Sequence, residues 1–136
     1  MYEFIPHTAD IGIRVKGKTL AELFQNAAFA LFDIMSDIKK VKSVIEEPIE
    51  IEADDLVELM NYWLSALLKQ YTINNRLLNF FEIKSISDRM LTALIKGEDY
   101  NQSKHNIKKE IKAVTFHNLY VKEIDNGWES EIIFDV

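Results

Sequence analysis

His7-Thr8-Ala9-Asp10-Ile11-Gly12-Ile13 joins a turn-like triplet to the start of a strand, and its reading decides how the rest of the chain is organised. Ile11, Ile13 and Val15 alternate with Gly12, Arg14 and Lys16, the period of two that a strand with one buried face requires. Asp10 stands at the mouth of that strand, and Gly12 lets something approach the backbone closely. Two readings follow. In one, the carboxylate and the glycine belong to a site; in the plainer one, Asp10 ends a turn and Gly12 relieves crowding.

Outward from this strand, Gly17-Lys18 makes a turn, and Thr19 with Glu22 forms the capping pair that opens a helix running to about Met35. Leu20, Leu23, Phe24, Ala27, Ala28, Leu31 and Met35 fall on one face of it, as core packing demands. Residues 41–53 read as one or two strands, with Pro48 suited to a strand start or an edge. A second helix begins at Asp54 or Asp55 and ends near Asn74-Asn75. Its apolar face is Leu56, Met60, Trp63, Leu64, Leu67, Leu68 and Tyr71. A hairpin follows, from Leu77 to Ile86 and from Met90 to Lys96, turning at Asp88-Arg89. Gly97 to Lys109 is polar and irregular, a length that in compact domains usually carries function or mobility. A further strand block runs from Ile111 to about Lys122. After the turn signal Asp125-Asn126-Gly127, alternation from Trp128 to Val136 gives the last strand. The sum is one α+β domain over residues 1–136: a mixed or antiparallel sheet of about seven strands with two helices packed on it.

Composition limits the function. At 136 residues, 48% of them hydrophobic, the chain can bury one real core. No run approaches the roughly eighteen apolar residues of a membrane span, and the N-terminus has no basic region followed by an apolar one, so a soluble, cytoplasmic protein is expected. The absence of cysteine excludes disulfides, thiolate catalysis and zinc-thiolate sites. A net charge of -6 argues against strong direct binding to nucleic acid or to an anionic membrane.

At the far end, Asp135 alternates away from Phe134, and the carboxyl terminus of Val136 adds a second anion beside it. If Asp10 lies next to them, three carboxylates converge and require a proton or a cation among them. All-oxygen ligands suit a hard ion, Ca2+, Mg2+ or Mn2+. Spacing alone leaves open whether the ends meet. His7, His105 and His117 lack the spacing of zinc sites, and each reads more simply as a hydrogen-bonded structural residue.

Taken together, Ile5-Pro6-His7-Thr8-Ala9-Asp10-Ile11-Gly12-Ile13, Leu20-Ala21-Glu22-Leu23-Phe24, Gly97-Glu98 leading to Lys104-His105, Ile111-Lys112-Ala113-Val114-Thr115 and Phe134-Asp135-Val136 resemble the archease family across essentially the whole chain. The resemblance implies a non-catalytic accessory of the RtcB-type tRNA-splicing ligase, which promotes guanylylation of the ligase and its multiple turnover in tRNA splicing and RNA repair. It also implies a divalent cation, Ca2+ above Mg2+ or Mn2+, held by Asp10, Asp135 and the carboxyl terminus of Val136. Lys112 is implied in ligase activation, either holding a nucleotide phosphate as a point charge or pairing with an acid of the ligase, and an indirect contact of the protein with GTP or GMP in the complex is implied as well. His7, Glu98 and His105 are weaker candidates for the same surface. Two other classes stay in view: a chaperone-like modulator of a tRNA-modifying enzyme such as a methyltransferase, and a metal-dependent phosphohydrolase.

Overall fold

The computed structural model describes residues 1–7 and 9–136. Its elements in chain order are β1 (Tyr2–Ile5), β2 (Ile11–Gly17), α1 (Leu20–Met35), a 3-10 turn (Ile38–Lys40), β3 (Ile45–Glu52), α2 (Leu56–Thr72), β4 (Arg76–Ile86), β5 (Met90–Asp99), β6 (Ala113–Val114), β7 (Tyr120–Ile124) and β8 (Gly127–Asp135). The α+β class holds. Among the described residues there are eight strands, however, and they divide into two sheets, in which every pairing is antiparallel.

One sheet runs β1-β2-β8, with both β6 and β7 on the far edge of β8; the other runs β3-β5-β4. The alternation seen from Ile11 to Lys16 becomes a ladder in which Ile11, Ile13 and Val15 face Phe134, Ile132 and Ser130. Ile13, Val15, Ile132 and Phe134 are all fully buried. α1 covers this face and also packs on β4 of the second sheet. That double contact explains why burial on α1 spreads beyond one stripe to Ala30, Phe32 and Ile34. Phe32, for example, packs against Phe81 of β4 with ring centroids 5.7 Å apart.

Three local expectations are revised. Residues 2–5 form an edge strand, paired with β2 from Tyr2↔Val15 to Ile5↔Gly12, although so short a segment gives no clear alternation. The block expected from Ile111 to Lys122 is broken: β6 is two residues long, and after Thr115 the chain leaves the edge of β8 over residues 116–119 before rejoining it as β7. Asn118, at φ 54°, takes the left-handed conformation that this excursion needs. Finally, the close approach to Gly12 comes from within the fold. A Cβ there would stand 2.7 Å from Ile5 Cγ1, so Gly12 admits β1, as the plainer reading has it for the glycine. The turn expected before β2 includes Thr8, which lies outside the described residues.

Candidate functional site

Strand register builds the candidate site. Ile11 pairs with Phe134, so Asp10 and Asp135 are the next residues outward on two adjacent strands. On the other side of β8, Ala113 pairs with Asp135, and the Lys112 amide donates to the Asp135 carbonyl at 2.8 Å. Three neighbouring strands, β2, β8 and β6, therefore bring Asp10, Asp135 and Lys112 to one end of the sheet. His7 joins them, with its Nδ1 3.6 Å from Asp10 Oδ2 and both side chains partly exposed. Asp135 and Lys112 are exposed, and Val136 is half-buried beside them.

The donor set is chemically suited to a hard cation. Two carboxylates on adjacent strands offer oxygen ligands, and the ring of His7 is placed to orient one of them. Among the described residues no three His, Asp or Glu side chains gather around one point.

Lys112 is placed differently from the two aspartates. Within β6 successive side chains alternate in direction, and Val114, buried against α2, shares the face of Lys112. Lys112 lines a cleft of about 250 Å³ together with Ser65, Lys69, Thr72 and Ile73 from the C-terminal part of α2. A cation there complements the carbonyl end of the helix. Among the described residues neither Lys112 nor Lys69 forms an ion pair, which leaves both ammonium groups available.

Glu98 and His105 form a separate cluster. His105 is buried; its Nδ1 accepts from the Asn101 amide at 2.9 Å, which assigns the ring proton to Nε2, and Nε2 lies 3.0 Å from Glu98 Oε2. Glu98 also accepts from the Lys42 amide at 2.7 Å and from Lys104 Nζ at 2.8 and 2.9 Å. Burial raises the Glu98 carboxyl, but the hydrogen bonds from Lys104, the Lys42 amide and His105 outweigh it and lower the group to about 2. His105 further stacks on Tyr100, at 6.0 Å between centroids, and Tyr100 packs edge-on against Tyr71. These contacts pin the polar segment after β5 to the body of the protein. None of these bonds involves Asp10, Asp135 or Lys112.

Sequence reasoning missed the contribution of α2. Ser65, Lys69 and Thr72 recur at three- and four-residue spacing on the face opposite the core, a signal easily taken for a solvated helix surface.

A two-sheet α+β domain with a polar site built on strand ends defines the class of this protein. The profile of the Archease protein family (MTH1598/TM1083) matches residues 2–136, and the chain belongs to that family. Protein archease of Methanopyrus kandleri is 36% identical over 138 residues, covering 99% of each chain. That of Methanosarcina mazei is 33% identical over 139 residues, covering 99% of this chain and 95% of the relative. Among solved structures, the solution structure of Methanobacterium thermoautotrophicum protein 1598 is similar with a TM-score of 0.83 and 33% identity, covering 99% of this chain and 98% of the other. The crystal structure of an archease, described as a possible chaperone, from Thermotoga maritima shares the fold at a TM-score of 0.71 and 18% identity, covering 97% and 94%.

Proposed function

We propose that this chain is a non-catalytic accessory of an RtcB-type tRNA-splicing ligase, promoting guanylylation of the ligase and hence its multiple turnover. The observation that supports it is the register of β2, β8 and β6, which gathers Asp10, Asp135 and Lys112 at one end of the sheet. In this reading Asp10, Asp135 and the α-carboxylate of Val136 hold a hard divalent cation, Ca2+ before Mg2+ or Mn2+, and the ion supplies positive charge toward a phosphate group. His7 orients Asp10. Lys112 supplies a separate point charge, free to meet a nucleotide phosphate or an acid of the ligase. A chain without cysteine suits a reducing cytoplasm.

A ligation assay with substoichiometric ligase and GTP tests the reading: the protein is expected to convert a stalled enzyme into a multiple-turnover one. Asp10→Ala should lose both metal binding and stimulation, with stability changed by no more than about 0.5 kcal/mol because the residue lies outside the core. Lys112→Ala should bind metal normally by calorimetry and still fail to stimulate. One residue added after Val136 moves the α-carboxylate by about 3.3 Å along the strand, beyond the roughly 2.0–2.6 Å of a cation–oxygen bond, and should weaken metal affinity. Full stimulation by folded Asp10→Ala removes the cation from the mechanism.

The description of the Thermotoga protein as a possible chaperone favours a second reading, a chaperone-like modulator of a tRNA-modifying enzyme such as a methyltransferase. Suppression of that enzyme's aggregation without any nucleotide dependence would support it. A phosphohydrolase is less well supported, because two carboxylate side chains are too few for a two-metal clamp.

A further inference from the structure

The outward face of α2 does not look like an ordinary solvated helix surface. Tyr62 and Phe116 are 41% and 52% exposed, and their rings meet edge to face with centroids 6.5 Å apart, so two large aromatics face solvent while packed on each other. Phe116 is held there by the excursion between β6 and β7, whose start is tied down where Thr115 Oγ1 donates to the Ile133 carbonyl at 2.9 Å. About two helical turns further along, the cleft between α2 and β6 presents Lys69 and Lys112, and at its end Ile73 is 72% exposed. The two parts are continuous: Asn61, next to Tyr62, donates to the Val114 carbonyl at 3.1 Å and accepts from Ser65, which lines the cleft.

Charge narrows the occupant. No acidic side chain is among the residues lining the cleft, although the chain as a whole carries -6. A polyanion such as RNA would be repelled by that net charge and would meet only two cations here. A short protein segment is different, because it can bring one or two carboxylates to Lys69 and Lys112 and lay apolar side chains on Tyr62, Phe116 and Ile73. Aromatic anchors are enriched at interface centres, and polar or charged groups form the rim around them. The stripe also runs directly into the strand-end site, since the Lys112 amide is bonded to the Asp135 carbonyl.

We propose that the face formed by Tyr62, Phe116, Lys69 and Ile73 docks an acidic, apolar-flanked segment of a protein partner and so sets that partner against the strand-end site. It rests on the ligase reading for the identity of the partner. The test measures Kd for the ligase, without RNA or nucleotide, using the full-length chain and its Phe116→Ala, Lys69→Glu and doubly substituted variants, with Lys112 left intact. Both positions are exposed, so circular dichroism should match the unsubstituted chain. Each single substitution is expected to weaken binding about tenfold. Lys69→Glu should also flatten the salt dependence. An unchanged Kd for the double variant, with tight binding by the unsubstituted chain, overturns the docking face and leaves the ligase reading standing. A loss that appears only when RNA is present overturns it in favour of a nucleic-acid surface. If the unsubstituted chain neither binds nor stimulates the ligase, the ligase reading fails, and this choice of partner fails with it.

Discussion

Burial at Glu98 favours the neutral acid, yet donors from Lys104, the Lys42 amide and His105 hold its carboxyl down at about 2, against an ordinary value near 4.5. A carboxyl lowered by folding contributes stability that is fully present above its unfolded value. That contribution fades as the pH falls from about 4.5 through about 2. Glu98→Gln should therefore melt below the unsubstituted chain at neutral pH, and the gap should close on acidification across this window. Thermal melts at a series of pH values check it; a gap of constant size would mean that the ionised form of Glu98 contributes nothing. At this scale the sequence was legible in chemistry and illegible in placement. Asp10, Asp135 and Lys112 stand out by residue type and by their resemblance to a family, but only the pairing Ile11↔Phe134 brings the two ends of the chain together. Glu98 and His105 stand in the same polar segment, and nothing in their spacing says that they bond to each other and leave the strand ends alone.

Both helices begin with the same device, which at α1 is offset by one residue from the Thr19–Glu22 pair that the sequence suggests. Thr19 Oγ1 accepts from the Glu22 amide at 3.1 Å, while the Glu22 side chain accepts from the Lys18 amide, before the cap, at 3.3 Å. Asp55 Oδ1 accepts from the Glu58 amide at 2.8 Å, and Glu58 reaches the Asp54 amide at 3.1 Å. Thr19→Ala and Asp55→Ala should each cost about 1 kcal/mol in urea unfolding, the usual value of one cap. Replacing Glu22 or Glu58 with Ala should cost less, because the amides they satisfy are exposed to water. A negligible loss for Asp55→Ala would show that packing alone fixes the start of α2. Helices were the readable elements, since caps and a 3.6-residue stripe are local signals. β1 and β6 were not. Four and two residues are too few to show a period, and each is a strand only because a neighbour pairs with it.

The division into two sheets is a property of the whole molecule, and alternation along a strand cannot announce it: alternation says which face is buried and is silent about the partner. β2 meets β8 across almost the full sequence, while β3, β4 and β5 close on themselves. β8 is consequently the most connected strand, bonded to β2 on one edge and to β6 and β7 on the other, and it buries Ile132, Ile133 and Phe134. β1, by contrast, pairs among the described strands with β2 alone and leaves Phe4 64% exposed. Removal of residues 127–136 should abolish the cooperative thermal transition, because it strips three core side chains and separates β2 from β6 and β7 in one step. Removal of residues 1–5 should keep a cooperative transition at a lower Tm. That truncation loses one edge strand, together with the 2.6 Å hydrogen bond that Tyr2 Oη donates to Asp33 on α1. Calorimetric scans of the two truncated chains separate the cases, and a sharp transition in the chain lacking 127–136, near the full-length Tm, would contradict the central place given to β8. The same geometry links stability to the site. Asp135 is the last residue of β8, the strand paired on both edges, so the position of the carboxylate at the strand end is set by the register of β8 with its neighbours.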